Sequence, residues 1–348
     1  MEYVNCKKDI IWVDYSKFIG IILVISGHTM SLFGQNSDVN FINRYIAMFH
    51  MLLFFVIAGY LYKDKTKKEN NIKIVKGLLI PYFIYQFTYF PFIAIKQIIF
   101  KNTDVLTMIQ KGLFGIFLGP NVPEPDFFFN ICGPCWFILV MIQLRVLFNN
   151  IKLSDKNLIL LTVCSIILLK VLSLYQIDLY FCLDNFLMAI PYFVLGYFVK
   201  IKYPDFIESF SMYKKYLILF CAFFVFVIMK YNGLVSIADL ITSLKPQTSL
   251  ILTYIGGVAG TLMVCLFSTY IKVIPDFIKT ISRNTLFIIF FHYLIIFIES
   301  IFKIKIATDC SITIVVISLT IVSLILNYVT IKILEKYAPF VLGKYTDK

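Results

Sequence analysis

Residues 18–33 read FIGIILVISGHTMSLF, an unbroken apolar run in which His28 is the only titratable side chain. Wound as an α-helix, a run of this length rises about 24 Å, close to the roughly 30 Å hydrocarbon thickness of a bilayer. No small-residue cleavage site follows it, and further apolar runs do, so it reads as a retained membrane span rather than a leader.

The rest of the chain repeats that pattern. Of 348 residues, 60% are hydrophobic, 17% aromatic and only 15% charged, too apolar a composition to cover a water-facing surface. Lipid offers no partners to free N–H and C=O groups, so spanning segments must be helices or a closed barrel, and long unalternating runs select helices. Candidate spans fall at 18–33, 41–62, 77–99, 135–150, 157–175, 183–199, 215–231, 249–271, 285–302 and 312–331. The expected fold is therefore all-α: a polytopic transmembrane helix bundle of about ten spans, a single domain over residues 1–348 with no fused soluble unit. Leu106–Leu118 is apolar but short and Gly-rich, which suits a re-entrant or interfacial piece.

Charge placement sets the expected topology. Most of the 32 Lys and Arg residues fall in alternate connections: Lys7, Lys8 and Lys17; Lys63 to Lys76; Arg145 to Lys156; Lys200 to Lys215; Lys272 to Arg283; and the tail from Lys332. Basic residues concentrate in cytoplasmic segments, so both termini are expected in the cytoplasm. The net charge of +12 then reports topology, and no basic stripe interleaved with stacking aromatics argues for nucleic acid. The longest outer connection, 101–134, carries Pro120, Pro123, Pro125, Asp126 and the Phe127–Phe129 run, which reads as a functional loop or as an interfacial anchor. At its end, Cys132-Gly133-Pro134-Cys135 has the spacing of a redox dithiol. Its setting at the mouth of a span is not the βαβ context that such chemistry needs. No metal-ligand cluster, nucleotide-binding Gly motif or nucleophile elbow is present in the sequence.

Ionisable groups at bilayer depth are costly, which makes each a candidate for function. All three His, His28, His50 and His292, lie inside predicted spans. The first two sit on antiparallel helices joined by a short loop, so they are expected at similar depth near the membrane middle. Lys17 precedes His28 by three turns and about 20°, a rise of about 16 Å, and Asp14 flanks the same face. The resulting polar stripe suits a ligand with a charged head and a long thin arm, as acyl coenzyme A has. The alternative is that Asp14 and Lys17 simply pair at the interface while His28 bonds another helix. A buried imidazole tends to stay neutral and then accepts a proton from a hydroxyl, the base role that acyl transfer requires. His292 fits that role or a plain helix–helix bond. Glu299, seven residues on and near the same face, either meets substrate or snorkels outward.

Several stretches, in the same order along the chain, resemble the acyltransferase 3 family of integral membrane enzymes, in particular its fucose 4-O-acetylase-like branch. They are Trp12-Val13-Asp14-Tyr15-Ser16-Lys17 through His28, Phe49-His50-Met51 through Gly59-Tyr60, Leu79-Ile80-Pro81-Tyr82, Gly133 with Trp136-Phe137, Pro191-Tyr192-Phe193 with Gly196-Tyr197, and Ile281-Ser282-Arg283-Asn284 ending at His292. Lys17 stands where many members carry Arg. The resemblance implies transfer of an acyl group, usually acetyl, from acyl coenzyme A to a hydroxyl of a surface polysaccharide or its lipid-linked precursor. The coenzyme is then a co-substrate rather than a tightly bound cofactor, and the protein a multi-pass resident of a bacterial cell membrane among lipids. On that reading Asp14, Lys17, Lys73, Lys76 and Arg283 are the candidates for holding the donor. His28, His50 and His292 are the catalytic candidates, with His28 a general base or a transient acyl carrier, and Trp136 and Glu299 are the candidates for meeting the acceptor. The strongest rival function is a transporter or flippase of a glycan precursor, whose paired interrupted helices in two related halves are not found in the sequence. A third is a sensor or assembly partner without chemistry.

Overall fold

The computed structural model describes residues 10–33, 37–120, 129–210, 213–233, 235, 240–245, 248–302 and 312–345, with side chains at 37–39, 242 and 297–302 left aside. Pro123, Pro125, Asp126 and the Phe127-Phe128 part of the 101–134 connection lie outside these residues. The described chain is helical, without strands. Its helices are α1 (Ile11–Ser31), α2 (Ser37–Ala47), α3 (His50–Tyr60), α4 (Lys67–Ile74), α5 (Ile80–Ile95), α6 (Val105–Leu118), α7 (Trp136–Asn150) and α8 (Asp155–Tyr175). There follow α9 (Leu183–Lys202), α10 (Phe206–Ser209), α11 (Lys214–Asn232), α12 (Leu240–Ser243), α13 (Leu250–Ser268), α14 (Asp276–Arg283), α15 (Thr285–Phe302) and α16 (Ile312–Tyr337).

Eight helical segments among the described residues are long and apolar enough to cross a membrane: Ile11–Ser31, Asn40–Tyr60, Lys67–Phe100, Asp155–Tyr175, Tyr180–Lys202, Lys214–Asn232, Leu250–Ser268 and Ile312–Tyr337. Each overlaps a span expected from the sequence. The other two expectations, 135–150 and 285–302, fall on α7, which has 15 residues, and on α15, where Thr285–Ile296 forms a shorter apolar helix. The re-entrant candidate is α6, started by Asp104, whose carboxylate accepts from the Thr107 backbone N–H at 2.9 Å. Tyr82 of α5 donates to the Ile116 carbonyl at 2.9 Å and ties that short helix to the bundle.

The helices sort into an inner and an outer set. On α8 the side chains of Ile159, Leu160, Val163, Ile167, Leu168 and Leu174 are all exposed, and α16 shows a similar row from Ile314 to Ile333. Apolar faces of that extent are stable only against lipid or another protein. By contrast α1, α3, α9 and α13 form the centre. Where α3 and α9 cross, a Cβ on Gly59 would stand 1.9 Å from the Phe193 carbonyl oxygen and one on Gly196 would stand 1.9 Å from that of Val56. Only the absence of a side chain at both positions lets the two backbones touch, which is how membrane helices gain packing contact without a hydrophobic drive between them.

Contacts gather the basic connections at one end of this bundle. Trp12 of α1 packs edge-on against Tyr60 of α3, with centroids 5.1 Å apart, and the Tyr60 hydroxyl reaches the Pro204 carbonyl at 3.4 Å. Tyr15 donates to the Val273 carbonyl at 2.9 Å, Lys202 pairs with Asp155 at 2.8 Å and Lys332 with Asp276 at 2.9 Å. Segments assigned to one side by their lysines are thus joined in space as well. The opposite end is closed by Gln143 donating to the Phe181 carbonyl at 2.7 Å and by Ser173 donating to the Leu244 carbonyl at 2.9 Å.

Candidate active site

Helix α1 starts at Ile11, seven residues before the apolar run that marks it in the sequence, because Trp12, Val13 and Tyr15 are buried against neighbouring helices. The polar pair that interrupts this stretch is satisfied internally: Lys17 Nζ lies 3.0 Å from Asp14 Oδ1. Ser282, next to the C-terminus of α14, donates to the same carboxylate oxygen at 3.1 Å. Arg283 follows, exposed and within electrostatic range of Lys17. Asp14, Lys17 and Arg283 are therefore brought together at the basic end, with Ser282 as the clamp between α1 and α14.

Because α1 extends beyond the apolar run at its N-terminal side, His28 lies in its last turn, toward the end opposite Lys17. There it meets α15: the rings of His28 and His292 are 5.2 Å apart between centroids, and Tyr293 stands edge-on to His28 at 5.5 Å. His50 is within electrostatic range of His28. It opens α3 just after Phe49, whose backbone (φ −144°, ψ −19°) departs from the helix and separates α2 from α3 within the second span. The three His, dispersed in sequence, thus share one region of the bundle.

Their hydrogen bonds define which nitrogen is available. A carbonyl only accepts, so Nδ1 of His292 must donate to the Ile288 oxygen at 2.6 Å, and Nδ1 of His50 likewise to the Ile46 oxygen at 3.0 Å. In the neutral ring the proton is then on Nδ1, and Nε2 presents a lone pair. His292 is 0% exposed, and its Nε2 has no hydrogen-bond partner among the described residues. Buried polar atoms are normally paired, so an orphan acceptor beside a second imidazole is suited to receive a proton from an O–H group.

Around this pair Tyr89 of α5 stacks obliquely on Tyr293 with centroids 6.2 Å apart. Gln86 is fully buried one turn earlier; its amide oxygen accepts from the Cys132 backbone N–H at 3.1 Å and its amide nitrogen donates to Tyr82 at 3.1 Å. This relay fixes the Gly133–Cys135 turn beneath Tyr293. The thiols of Cys132 and Cys135 are both buried and free, with Sγ atoms 3.0 Å apart.

The remaining candidates lie elsewhere. Lys73 and Lys76 are exposed, on α4 and on the π-helical turn after it; α4 packs on α7, and the Lys76 ammonium stands 5.1 Å over the Tyr345 ring. Trp136 is 7% exposed and packs against Phe55 and Phe137, so its ring serves the core. Glu299 is on α15, but its side chain falls outside the described set. A groove of about 270 Å³ between α1, α2 and α16 is lined by Ile22, Ser26, Met30, Val316, Thr320 and Ile321. It lies on the face of α1 turned away from His28 and is almost wholly apolar. Tyr293 was not singled out in the sequence and Ser282 entered only as part of a family-like stretch, since neither is charged.

The site thus lies in a multi-span helix bundle with basic groups gathered at one end of α1 and two imidazoles meeting toward the other. A family model described as an acyltransferase domain matches residues 10–332, and the chain belongs to that family, acyltransferase 3, as a membrane-bound acyltransferase. No curated protein and no solved structure matches the chain significantly.

Proposed function

We propose that this protein moves an acyl group, most simply acetyl, from cytoplasmic acyl coenzyme A to a hydroxyl of a surface polysaccharide or its lipid-linked precursor, in the manner of the fucose 4-O-acetylase-like branch. The observation that carries the reading is the buried Nε2 of His292, unpartnered among the described residues, beside His28, which shares α1 with Lys17. In this scheme the basic end of the bundle faces the cytoplasm, where Lys17 and Arg283 meet the donor's phosphates. The thioester arm then extends along α1 through the rise of about 16 Å that separates Lys17 from His28.

The acceptor O–H gives its proton to an imidazole Nε2 as its oxygen attacks the thioester carbonyl. The new C–O bond forms, the C–S bond breaks, and the thiolate leaves to be protonated, releasing free coenzyme. Water-poor surroundings favour this transfer over hydrolysis. With His28 as a transient carrier the same balance is reached in two steps, through an acyl-imidazole.

The test is a comparison of ester-linked acyl groups on surface glycans from cells with and without the gene, alongside labelled acetyl coenzyme A supplied to the purified protein. Loss of a glycan ester in the deletion strain together with coenzyme release in vitro is expected. Unchanged glycan esters and no coenzyme release would refute the proposal.

A further inference from the structure

Beside the start of α7, whose other end joins α4 at the basic side, the described chain leaves a small polar gap over Gly133. A Cβ built on that glycine would stand 3.7 Å from Asn130 Nδ2, 4.0 Å from Asn130 Oδ1 and 3.9 Å from the Tyr293 hydroxyl, its nearest neighbours outside the adjoining chain. Those are ordinary contact distances. The backbone is a 3-10 turn, Gly133–Cys135, without positive φ at Gly133, so neither packing nor conformation demands a glycine there. At Gly59 and Gly196 another backbone takes up the missing side chain; at Gly133 the space faces an amide and a phenol instead. Asn130 is exposed, and Gly133 and Tyr293 are half-buried, so the gap opens outward.

Both polar groups are held in place by their surroundings. The Phe129 N–H donates to the Lys111 carbonyl of α6 at 3.3 Å, and a Cβ on Gly115 of that helix would strike the Phe129 carbonyl oxygen, so the backbone entering Asn130 lies flush on α6. Beyond Asn130 the chain is anchored again, with Ile131 and Cys132 buried and the Cys132 N–H on Gln86. Tyr293 is backed by the fully buried Tyr89. With His28 and His292 it forms a triangle of rings whose centroids are 5.2, 5.5 and 6.4 Å apart. Its ring therefore meets the imidazoles while its hydroxyl borders the gap. Among the described residues neither that hydroxyl nor the Asn130 amide has a hydrogen-bond partner.

An amide offers donors and an acceptor in one plane, and a phenol both donates and accepts. Two such uncharged groups across a gap, next to aromatic rings, suit a ligand with hydroxyls on neighbouring carbons and an apolar face of C–H groups. A sugar ring has that chemistry and a simple alcohol does not. We propose that the acceptor's sugar ring docks over Gly133, one hydroxyl held between the Asn130 amide and the Tyr293 hydroxyl and its neighbour presented to His28 and His292. Asn130 and Tyr293 then determine which hydroxyl is acylated, and the acceptor is a diol rather than a lone hydroxyl. This rests on the acyl-transfer reading above and adds to it the place where the acceptor binds.

The test uses full-length protein in phospholipid nanodiscs, labelled acetyl coenzyme A, and the cells' own surface polysaccharide stripped of esters with mild alkali. Initial rates of label transfer give separate KM values for polysaccharide and for donor. Gly133→Ala places one methyl at contact distance and is expected to raise the polysaccharide KM about tenfold or more by filling the gap. Asn130→Ala and Tyr293→Phe remove hydrogen-bonding atoms and are each expected to raise it about fivefold. In all three the KM for acetyl coenzyme A stays within about twofold of wild type, which a general loosening of the bundle would not allow. Should Gly133→Ala fail to fold, the exposed Asn130→Ala and the single-oxygen change Tyr293→Phe decide the matter. A polysaccharide KM that is unchanged in the variants, or that rises only in step with the donor KM, would overturn the subsite and leave the acyl-transfer reading standing. Wild type that esterifies no polysaccharide would instead remove the acceptor reading, and the subsite with it.

Discussion

Replacing His28 by Ala is expected to lower acyl transfer by about a hundredfold or more, the usual contribution of a positioned acid–base group, while the protein still accumulates in the membrane. The side chain ends against the rings of His292 and Tyr293, so its removal takes away a reacting group and little of the packing that holds α1 in place. That packing comes from residues on other turns: Ile21, Val24 and Ile25 are each at most 1% exposed. Coenzyme release from labelled acetyl coenzyme A, normalised to membrane-inserted protein, measures the effect. Full activity in His28→Ala would remove this imidazole from the chemistry.

A loss of comparable size is expected for His292→Asn, and here the choice of substitute matters. An Asn side chain can keep the donation to the Ile288 carbonyl that Nδ1 now makes, but offers nothing in the place of Nε2. His292→Gln does the reverse, placing an amide near Nε2 that can hydrogen-bond a hydroxyl without taking its proton. If Nε2 acts as a base, both variants lose kcat. If it only positions a hydroxyl by hydrogen bonding, Gln should retain much of the rate that Asn loses. If His292 serves only to anchor the helix through its Nδ1 bond, Asn should be close to wild type, and the base role fails.

Much of this architecture was legible in the sequence for one physical reason. A bilayer forces nearly every spanning residue to be apolar and every backbone group to be paired within its own helix, so spans and their basic connections declare themselves locally. The Lys17–His28 stripe was readable in the same way, because both residues belong to one helix of known pitch. What could not be read were relations between helices. That His28 meets His292 and Tyr293 depends on how α1 packs on α15, and no spacing in the chain encodes it. The start of α1 was placed too late because Asp14 and Lys17 looked like the edge of the span; paired with each other and with Ser282, they sit inside the helix.

The most direct measurement follows the donor's far end. Acyl coenzyme A carrying a photoreactive diazirine at the acyl terminus is bound to the purified protein, irradiated, and the labelled peptides are mapped by mass spectrometry, with excess unmodified coenzyme A as competitor. Competable labelling of the last turn of α1 and the middle of α15, around His28, His292 and Tyr293, is the expected result. Labelling confined to the lipid-facing sides of α8 and α16, or to the helix ends around Lys17, would contradict a thioester that reaches the imidazoles from the basic end.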